Sequence, residues 1–141
     1  MSRQDGFAMA DEGDHAPPVP LVVDLTGPHP PALADVRRRT VAHLPALPDD
    51  KVDDVLLVVT ELVSNAYDHG ENPLELRVGA TRQLIRVEVD DESPHVPVLG
   101  RSSAGRYRGH GLLMVENLCK DWGVAHRASH KTVWAVLTGG A

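Results

Sequence analysis

The sequence predicts an α/β fold, an α+β sandwich in which a mixed, mainly antiparallel sheet is covered on one face by about three helices. Its 141 residues suit a single hydrophobic core. Five short segments carry the apolar pattern of strands, and three longer ones carry apolar residues at helical spacing. Their order is strand, helix, helix, strand, strand, helix, strand, strand, which favours helices packed on one side of a sheet.

The chain begins with a segment that we expect to be a disordered tail, residues 1–19, because Asp, Gly, Pro and Glu dominate it. The domain itself is predicted over residues 20–141. The segment "PLVVDL" from Pro20 is typical of a strand. "GPHPP" then separates it from a first helix, which should end near Leu44, before a proline.

A long second helix and a hairpin are predicted next. "PDD" at residues 48–50 offers an N-cap and acidic residues suited to the positive end of a helix. This helix should run to about His69, with Gly70 as its C-cap. The strands "LELRVGA" from Leu74 and "LIRVEVDD" from Leu84 are joined by "TRQ", which predicts a hairpin.

A long loop is predicted from Ser93 to Gly111, because this stretch holds four glycines and two prolines. A loop of this length in a compact domain is usually a functional lid or is disordered. "LLMVENLCK" then returns to a helical pattern. "WGVAHR" and "TVWAVL" are typical of two closing strands around the turn "ASHK".

Composition and charge exclude several functions. A formal charge of -6 argues against general nucleic-acid binding, which needs a basic surface. The single cysteine, Cys119, excludes an internal disulfide and a cysteine-built zinc site, and it suits a reducing compartment. The longest apolar run, "VLLVV", is far too short to span a bilayer. We therefore expect a cytoplasmic protein that contacts neither a membrane nor nucleic acid directly.

Three features could carry chemistry, and the first is a polar stripe on the long helix. Glu61, Asn65 and His69 follow one another at four-residue spacing. The stripe borders the apolar side of the helix, which consists of Val55, Val58, Val59, Leu62, Val63 and Ala66. At that edge a carboxylate could act as a base, and an amide oxygen could bind a hard cation such as Mg²⁺. Polar pairs at this spacing are also common on solvated helix edges, which is the alternative for this helix taken alone.

The second feature is the acidic end of the strand "LIRVEVDD". Alternation places Ile85, Val87 and Val89 on one face, so Asp91 continues the apolar face. A carboxylate that points inward needs hydrogen-bond donors, and an exocyclic amine such as that of adenine is a suitable donor. The alternative is that the strand has already ended and that Asp91 begins a turn before Pro94.

The third feature is the stretch "RYRGHGLLMVENL". Gly109 and Gly111 precede a helix whose free N–H groups and positive dipole end could bind phosphate. Arg101, Arg106 and Arg108 make the preceding loop a basic island in an acidic protein. Two glycines before a helix also serve as a simple turn, so this motif is not decisive alone. The sequence lacks the Rossmann and P-loop glycine motifs.

Taken in order, "ELVSNAYDHG", "VEVDDESP", "GHGLLMVENL" and "KTVW" resemble the motifs of the histidine-kinase-like ATPase superfamily, which has the Bergerat ATP-binding fold. The sequence looks most like its small stand-alone branch, the anti-sigma-factor serine/threonine kinases. The resemblance covers about residues 21–137. It implies ATP and Mg²⁺ as cofactors, and a sigma factor, an anti-sigma antagonist protein or both as partners. A homodimer is suggested by the resemblance alone.

Carried over residue by residue, the resemblance implies a complete nucleotide site. Asn65 would bind Mg²⁺, Glu61 would polarise the attacking hydroxyl, and His69 would lie near the phosphates. Asp91 would accept a hydrogen bond from the adenine amine, and Thr132 would support the adenine end beside it. Further nucleotide-binding positions implied in the loop are Arg108, Gly109, Gly111 and Leu112.

The chain departs from the family pattern in one place. The family usually has Asp-x-Gly-x-Gly after the strand, whereas Ser93 and His95 stand at the glycine positions here. This stiffens the hinge of the implied ATP lid, residues 94–108. Two hypotheses follow: a regulator that phosphorylates a serine on an anti-sigma antagonist, or a catalytically silent module that sequesters a sigma factor or another protein. A structural domain without nucleotide is a third.

Overall fold

The computed structural model describes residues 19–94 and 114–140. Its elements follow the predicted order. The strands are β1 (Leu21–Asp24), β2 (Glu75–Ala80), β3 (Leu84–Asp91), β4 (Asp121–His126) and β5 (Lys131–Thr138), and the helices are α1 (Leu33–His43) and α2 (Asp49–His69). Residues 114–118 are also helical. The predicted tail, residues 1–19, lies outside the described residues except for its last position.

The strands form one sheet in the order β1-β2-β3-β5-β4. The predicted hairpin joins β2 to β3, with Ala80 opposite Ile85. Each pair of neighbouring strands in the described part of the chain is antiparallel, so the parallel component that we expected of a mixed sheet is not found there. Parallel neighbours need a crossover connection, whereas two successive helices between β1 and β2 return the chain in the opposite direction.

The core lies between the helices and one face of the sheet, which we call the inner face. The buried residues of α2 are the six that helical spacing predicted: Val55, Val58, Val59, Leu62, Val63 and Ala66. They join one cluster with inner-face residues of the central strands, including Val87, Val89, Val133 and Ala135. Each fully buried valine or leucine contributes about 1.5–3 kcal/mol, so this packing fixes α2 against the sheet.

Different interactions stabilise the two ends of α2. At its start, Asp49 and Asp50 lie in the first turn, where negative charge is favourable. At its end, the N–H of Gly70 donates to the carbonyl oxygens of Ala66 at 3.0 Å and Asn65 at 3.2 Å. This confirms Gly70 as the C-cap. The end of α2 is therefore fixed in position relative to the strands that follow it.

Candidate functional site

The end of α2 meets the end of β3. A Cβ atom on Gly70 would lie 2.6 Å from the carbonyl oxygen of Ala66 and 2.7 Å from Cγ of Asp91, so only glycine fits there. The N–H of Glu92 also donates to the carbonyl oxygen of Glu71 at 2.6 Å. These contacts place the carboxylate of Asp91 against the last turn of α2.

Asp91 is the last residue of β3 and points inward, as the alternation predicted. Its exposed fraction is 1%. Its Oδ1 accepts hydrogen bonds from Nζ of Lys131 at 2.9 Å and from the N–H of Ser93 at 2.7 Å. Its Oδ2 lies on the side of Gly70. The alternative, that the strand ends before Asp91, is wrong, because Asp91 pairs with Lys131 in the ladder between β3 and β5.

Lys131 is the site residue that sequence reasoning missed. It was assigned to the turn "ASHK", whereas β5 begins at this residue and places it directly opposite Asp91. Its side chain is on the inner face and is 3% exposed. The signal was present in the sequence, because Lys131 extends the alternating row of Val133 and Ala135 by one position.

Thr132 lies on the opposite face of the sheet, which we call the outer face. The register pairs it with Asp90, and its Oγ1 donates to Oδ1 of Asp90 at 2.7 Å. The expectation that Thr132 lies beside Asp91 is therefore wrong. Consecutive residues of a strand point to opposite faces, so the inner position next to Asp91 belongs to Lys131.

The polar stripe of α2 lies where helical spacing placed it. Glu61 and Asn65 are half-buried beside the core, while His69 at the end of the helix is exposed. Within residues 19–94 and 114–140, no group of three or more His, Cys, Asp or Glu could hold a metal ion. Mg²⁺ commonly takes only one or two protein ligands together with phosphate and water, so Asn65 remains a predicted ligand.

The outer face carries a separate ion-pair cluster, made of Arg77, Glu75, Glu88, Asp90 and Thr132, which we call the outer cluster. Arg77 donates to Glu75 at 2.7 Å, to Glu88 at 2.8 Å, and to Asp90 at 2.8 and 2.9 Å. Burial alone would raise the pKa of Asp90, but hydrogen bonds from Arg77 and Thr132 and the charge of Arg77 outweigh it and lower that pKa. These groups therefore hydrogen-bond to one another across β2, β3 and β5.

The predicted phosphate-binding segment lies outside the described residues. The segment consists of Arg108, Gly109, Gly111 and Leu112. The implied lid after Pro94 also lies outside the described residues. The described residues include the end of β3 with Asp91 and the α2 wall beside it, where the sequence predicts the base end of a nucleotide site. Its residues suit an adenine base, because an apolar row with Val89 and Val133 leads to a buried carboxylate.

The fold is an α/β sandwich. A buried acidic residue lies at the end of its central strand β3, beside the C-terminus of the long helix α2. The model of the histidine kinase-like ATPase domain family matches residues 28–137. The chain belongs to this family, whose nucleotide is ATP.

Comparison with solved structures supports the same fold. The chain resembles a crystal structure of the RsbU and RsbW domains of Rv1364c from Mycobacterium tuberculosis, with a TM-score of 0.59 and 22% sequence identity. The match covers 90% of this chain and 34% of the other, so this chain spans about a third of that length. No curated protein matches the chain. In the described parts of the chain, no helix is both long and apolar enough to cross a membrane.

Proposed function

We propose that the protein is an ATP- and Mg²⁺-dependent regulator that phosphorylates a serine on an anti-sigma antagonist protein. One observation carries this proposal: the helix that holds Glu61 and Asn65 on its half-buried edge ends at Gly70 against the carboxylate of Asp91. Glu61 and Gly70 are separated by about 14 Å along the helix axis, at a rise of ~1.5 Å per residue. This is on the order of the length of an extended nucleoside triphosphate, so one rigid helix can form the wall from base to γ-phosphate.

The proposed transfer requires few protein groups. The serine oxygen bonds to the γ-phosphorus while the bond from that phosphorus to the bridging oxygen of ADP breaks, and the hydroxyl proton passes to Glu61. Asn65 holds the metal ion, which offsets phosphate charge when bound. Arg108, Gly109 and Gly111 are the proposed phosphate contacts.

The family and the structural neighbour support a regulatory role. The neighbour carries RsbU and RsbW domains in one chain, which agrees with a partner that is itself a regulator protein. For this chain we propose a sigma factor or an antagonist protein as that partner, a cytoplasmic location and a homodimer. The net charge of -6 agrees with a protein partner rather than a nucleic acid.

Glu61→Ala tests the assignment of the proton acceptor. With γ-labelled ATP, Mg²⁺ and an antagonist protein identified by co-purification, we expect label transfer to fall by about 100-fold or more, because a general base is removed. Affinity for ADP, measured by calorimetry, should change less than about threefold, since Glu61 does not contact the base. The control Glu71→Ala removes an exposed carboxylate just after α2 and should change neither value. Wild-type transfer by Glu61→Ala would defeat the assignment.

A second candidate is a binding module that has lost catalysis and sequesters a sigma factor or another protein. Ser93 favours it, because this residue replaces a glycine of the implied lid hinge and its side chain is buried, with 2% exposed. The same label assay separates the two. If wild-type protein binds ADP but transfers no label, the module is correct. If neither ADP nor ATP raises the melting temperature, the domain is a structural one without nucleotide.

A further inference from the structure

Asp91 and Lys131 form a buried ion pair in which the hydrogen bonds from described residues reach Oδ1 of Asp91. A lysine ammonium carries three N–H donors. In the described part of the chain, Oδ1 of Asp91 is the one acceptor that Nζ of Lys131 reaches. The two donors that Asp91 receives there, from Lys131 and Ser93, both go to Oδ1. Oδ2 lies against Gly70 and accepts neither of these two hydrogen bonds.

A buried ion pair is costly unless its groups are hydrogen-bonded. The side chains of Lys131 and Asp91 are 3% and 1% exposed, and among the described residues no fully buried side-chain nitrogen or oxygen lacks a hydrogen-bond partner. Because the two residues are direct partners across β3 and β5, their charged groups stand side by side at the end of the inner face. The pair therefore presents one acceptor and one donor next to each other.

Adenine matches this pattern. Its 6-amino group is a donor, and the adjacent ring atom N1 is an acceptor. We propose that Lys131 reads the base directly, with Nζ donating to N1 while Oδ2 of Asp91 accepts from the 6-amino group. This inference rests on the ATP binding proposed above and adds a specificity-determining residue to that site.

The packing around the pair supports this orientation. Val89 and Val133, which are buried in the core, occupy the next inner positions along β3 and β5, so the pair stands at the end of an apolar row. Thr132 cannot take this role, because its side chain lies on the outer face and donates to Asp90. The base edge is thus read by Lys131, the inner residue of β5 at this level.

A comparison of two nucleotides tests the contact. Affinities for ADP and for 1-deaza-ADP, in which C–H replaces N1, are measured by calorimetry with the full chain. We expect the wild type to bind 1-deaza-ADP on the order of tenfold to a hundredfold more weakly, because a hydrogen bond to a charged group is lost. Lys131→Met keeps an unbranched side chain but removes the donor. In this variant the ratio of the affinity for ADP to the affinity for 1-deaza-ADP should fall below about twofold.

The control variant is Lys120→Met, which removes an exposed lysine just before β4, at the end away from the pair, and should keep the wild-type ratio. If Lys131→Met fails to fold, the double variant Asp91→Asn with Lys131→Met is used, because it replaces the charged pair by a neutral one. Its affinities for ADP and for 1-deaza-ADP must also be nearly equal. A wild-type ratio in either variant would overturn the role of Lys131. Equal wild-type affinities for the two nucleotides would overturn this inference alone, and absence of any ADP binding would overturn both proposals.

Discussion

Two adjacent aspartates at the end of β3 lie in opposite environments. Asp90 faces the outer side, where Arg77 donates to both of its carboxylate oxygens and Thr132 donates to Oδ1. Asp91 faces the inner side, where both described donors reach Oδ1 and Oδ2 is turned to the end of α2. The same residue type therefore serves two purposes one position apart. Asp90 closes a network of hydrogen bonds on the outer face, and Asp91 is the residue for which we propose contact with the base.

The difference follows from what each face offers. On the outer face, Arg77, a diagonal neighbour on β2, donates to both oxygens of Asp90, and Thr132, directly opposite on β5, donates to Oδ1. On the inner face, the apolar row leaves only Lys131 as a charged neighbour in the ladder between β3 and β5, and the position beyond it belongs to the predicted nucleotide. A carboxylate that is fixed on one side is already oriented when the ligand arrives, which reduces the cost of ordering it on binding.

Asp91→Ala removes the aspartate of the inner face and should have the largest effect on stability and on ADP affinity. It leaves the buried ammonium of Lys131 without a counter-charge, so we expect a loss of about 3 to 5 kcal/mol in the free energy of unfolding. Affinity for ADP should fall by roughly 100-fold or more, because a charged acceptor for the amine and its orienting pair are both lost. Urea unfolding followed by tryptophan fluorescence and calorimetric titration with ADP measure the two values.

The matched control is Asp53→Ala, which removes an exposed carboxylate from α2. It should change the free energy of unfolding by less than about 0.5 kcal/mol and leave ADP affinity unchanged. If Asp91→Ala binds ADP with an affinity within about threefold of the wild type, Asp91 does not bind the base.

Most of the fold could be predicted from the sequence because its signals are local. Helical spacing identified the buried side of α2, and Gly70 marked its end. Alternation identified the inner face of β3. Strand direction was less accessible, since the expected mixed sheet has only antiparallel pairings in the residues described. Which strands become neighbours depends on packing between distant segments, and a local pattern does not contain it.

The site was harder to predict because it depends on register. A shift of one residue in the pairing of β3 with β5 exchanges Lys131 for Thr132 beside Asp91. The prediction of Thr132 near Asp91 came from the family resemblance, whereas the ladder places Lys131 opposite Asp91 and directs Thr132 to the outer face. The family motif correctly drew attention to this strand, but only the ladder shows which of its side chains points inward.

Arg77→Met should disrupt the outer cluster and leave the pair of Asp91 and Lys131 on the inner face intact. Three carboxylates, those of Glu75, Glu88 and Asp90, then lose a common cation. Breaking a fully buried ion pair costs about 3 to 5 kcal/mol, and the Arg77 side chain is 21% exposed, so we expect about 2 kcal/mol in the free energy of unfolding. Calorimetry should show an unchanged affinity for ADP.

Arg82→Met is the comparison variant, because Arg82 is exposed at the turn between β2 and β3. Its effect on the free energy of unfolding should stay below about 0.5 kcal/mol. A loss of ADP affinity in Arg77→Met of more than about threefold would show that the two faces are coupled. The outer cluster would then contribute to the orientation of Asp91.

Asp90→Asn sharpens the comparison further, because it removes a charge and keeps nearly the same shape. The amide oxygen can still accept a hydrogen bond, so at pH 7 we expect a loss of only about 1 kcal/mol. The pKa of Asp90 is lowered in the folded state, since the hydrogen bonds from Arg77 and Thr132 outweigh the opposing effect of burial. A group with a lowered pKa stabilises the fold above its unfolded pKa, about 3.9 for Asp, and this stabilisation is lost as pH falls through the folded value.

The difference in the free energy of unfolding between the wild type and Asp90→Asn should therefore shrink as the pH falls below about pH 4. The comparison is restricted to this acid range because Nε2 of His130 lies 3.8 Å from Oδ2 of Asp90 and forms an ion pair with it when protonated. Urea unfolding at several pH values measures this difference, with the exposed Asp53→Asn as a control whose difference stays near zero. A difference that grows as the pH falls below about pH 4 would mean that the folded state favours the protonated form of Asp90. In that case the charge of Asp90 would not hold the outer cluster together, and the contrast between the two aspartates would reduce to the position of Asp91 beside α2.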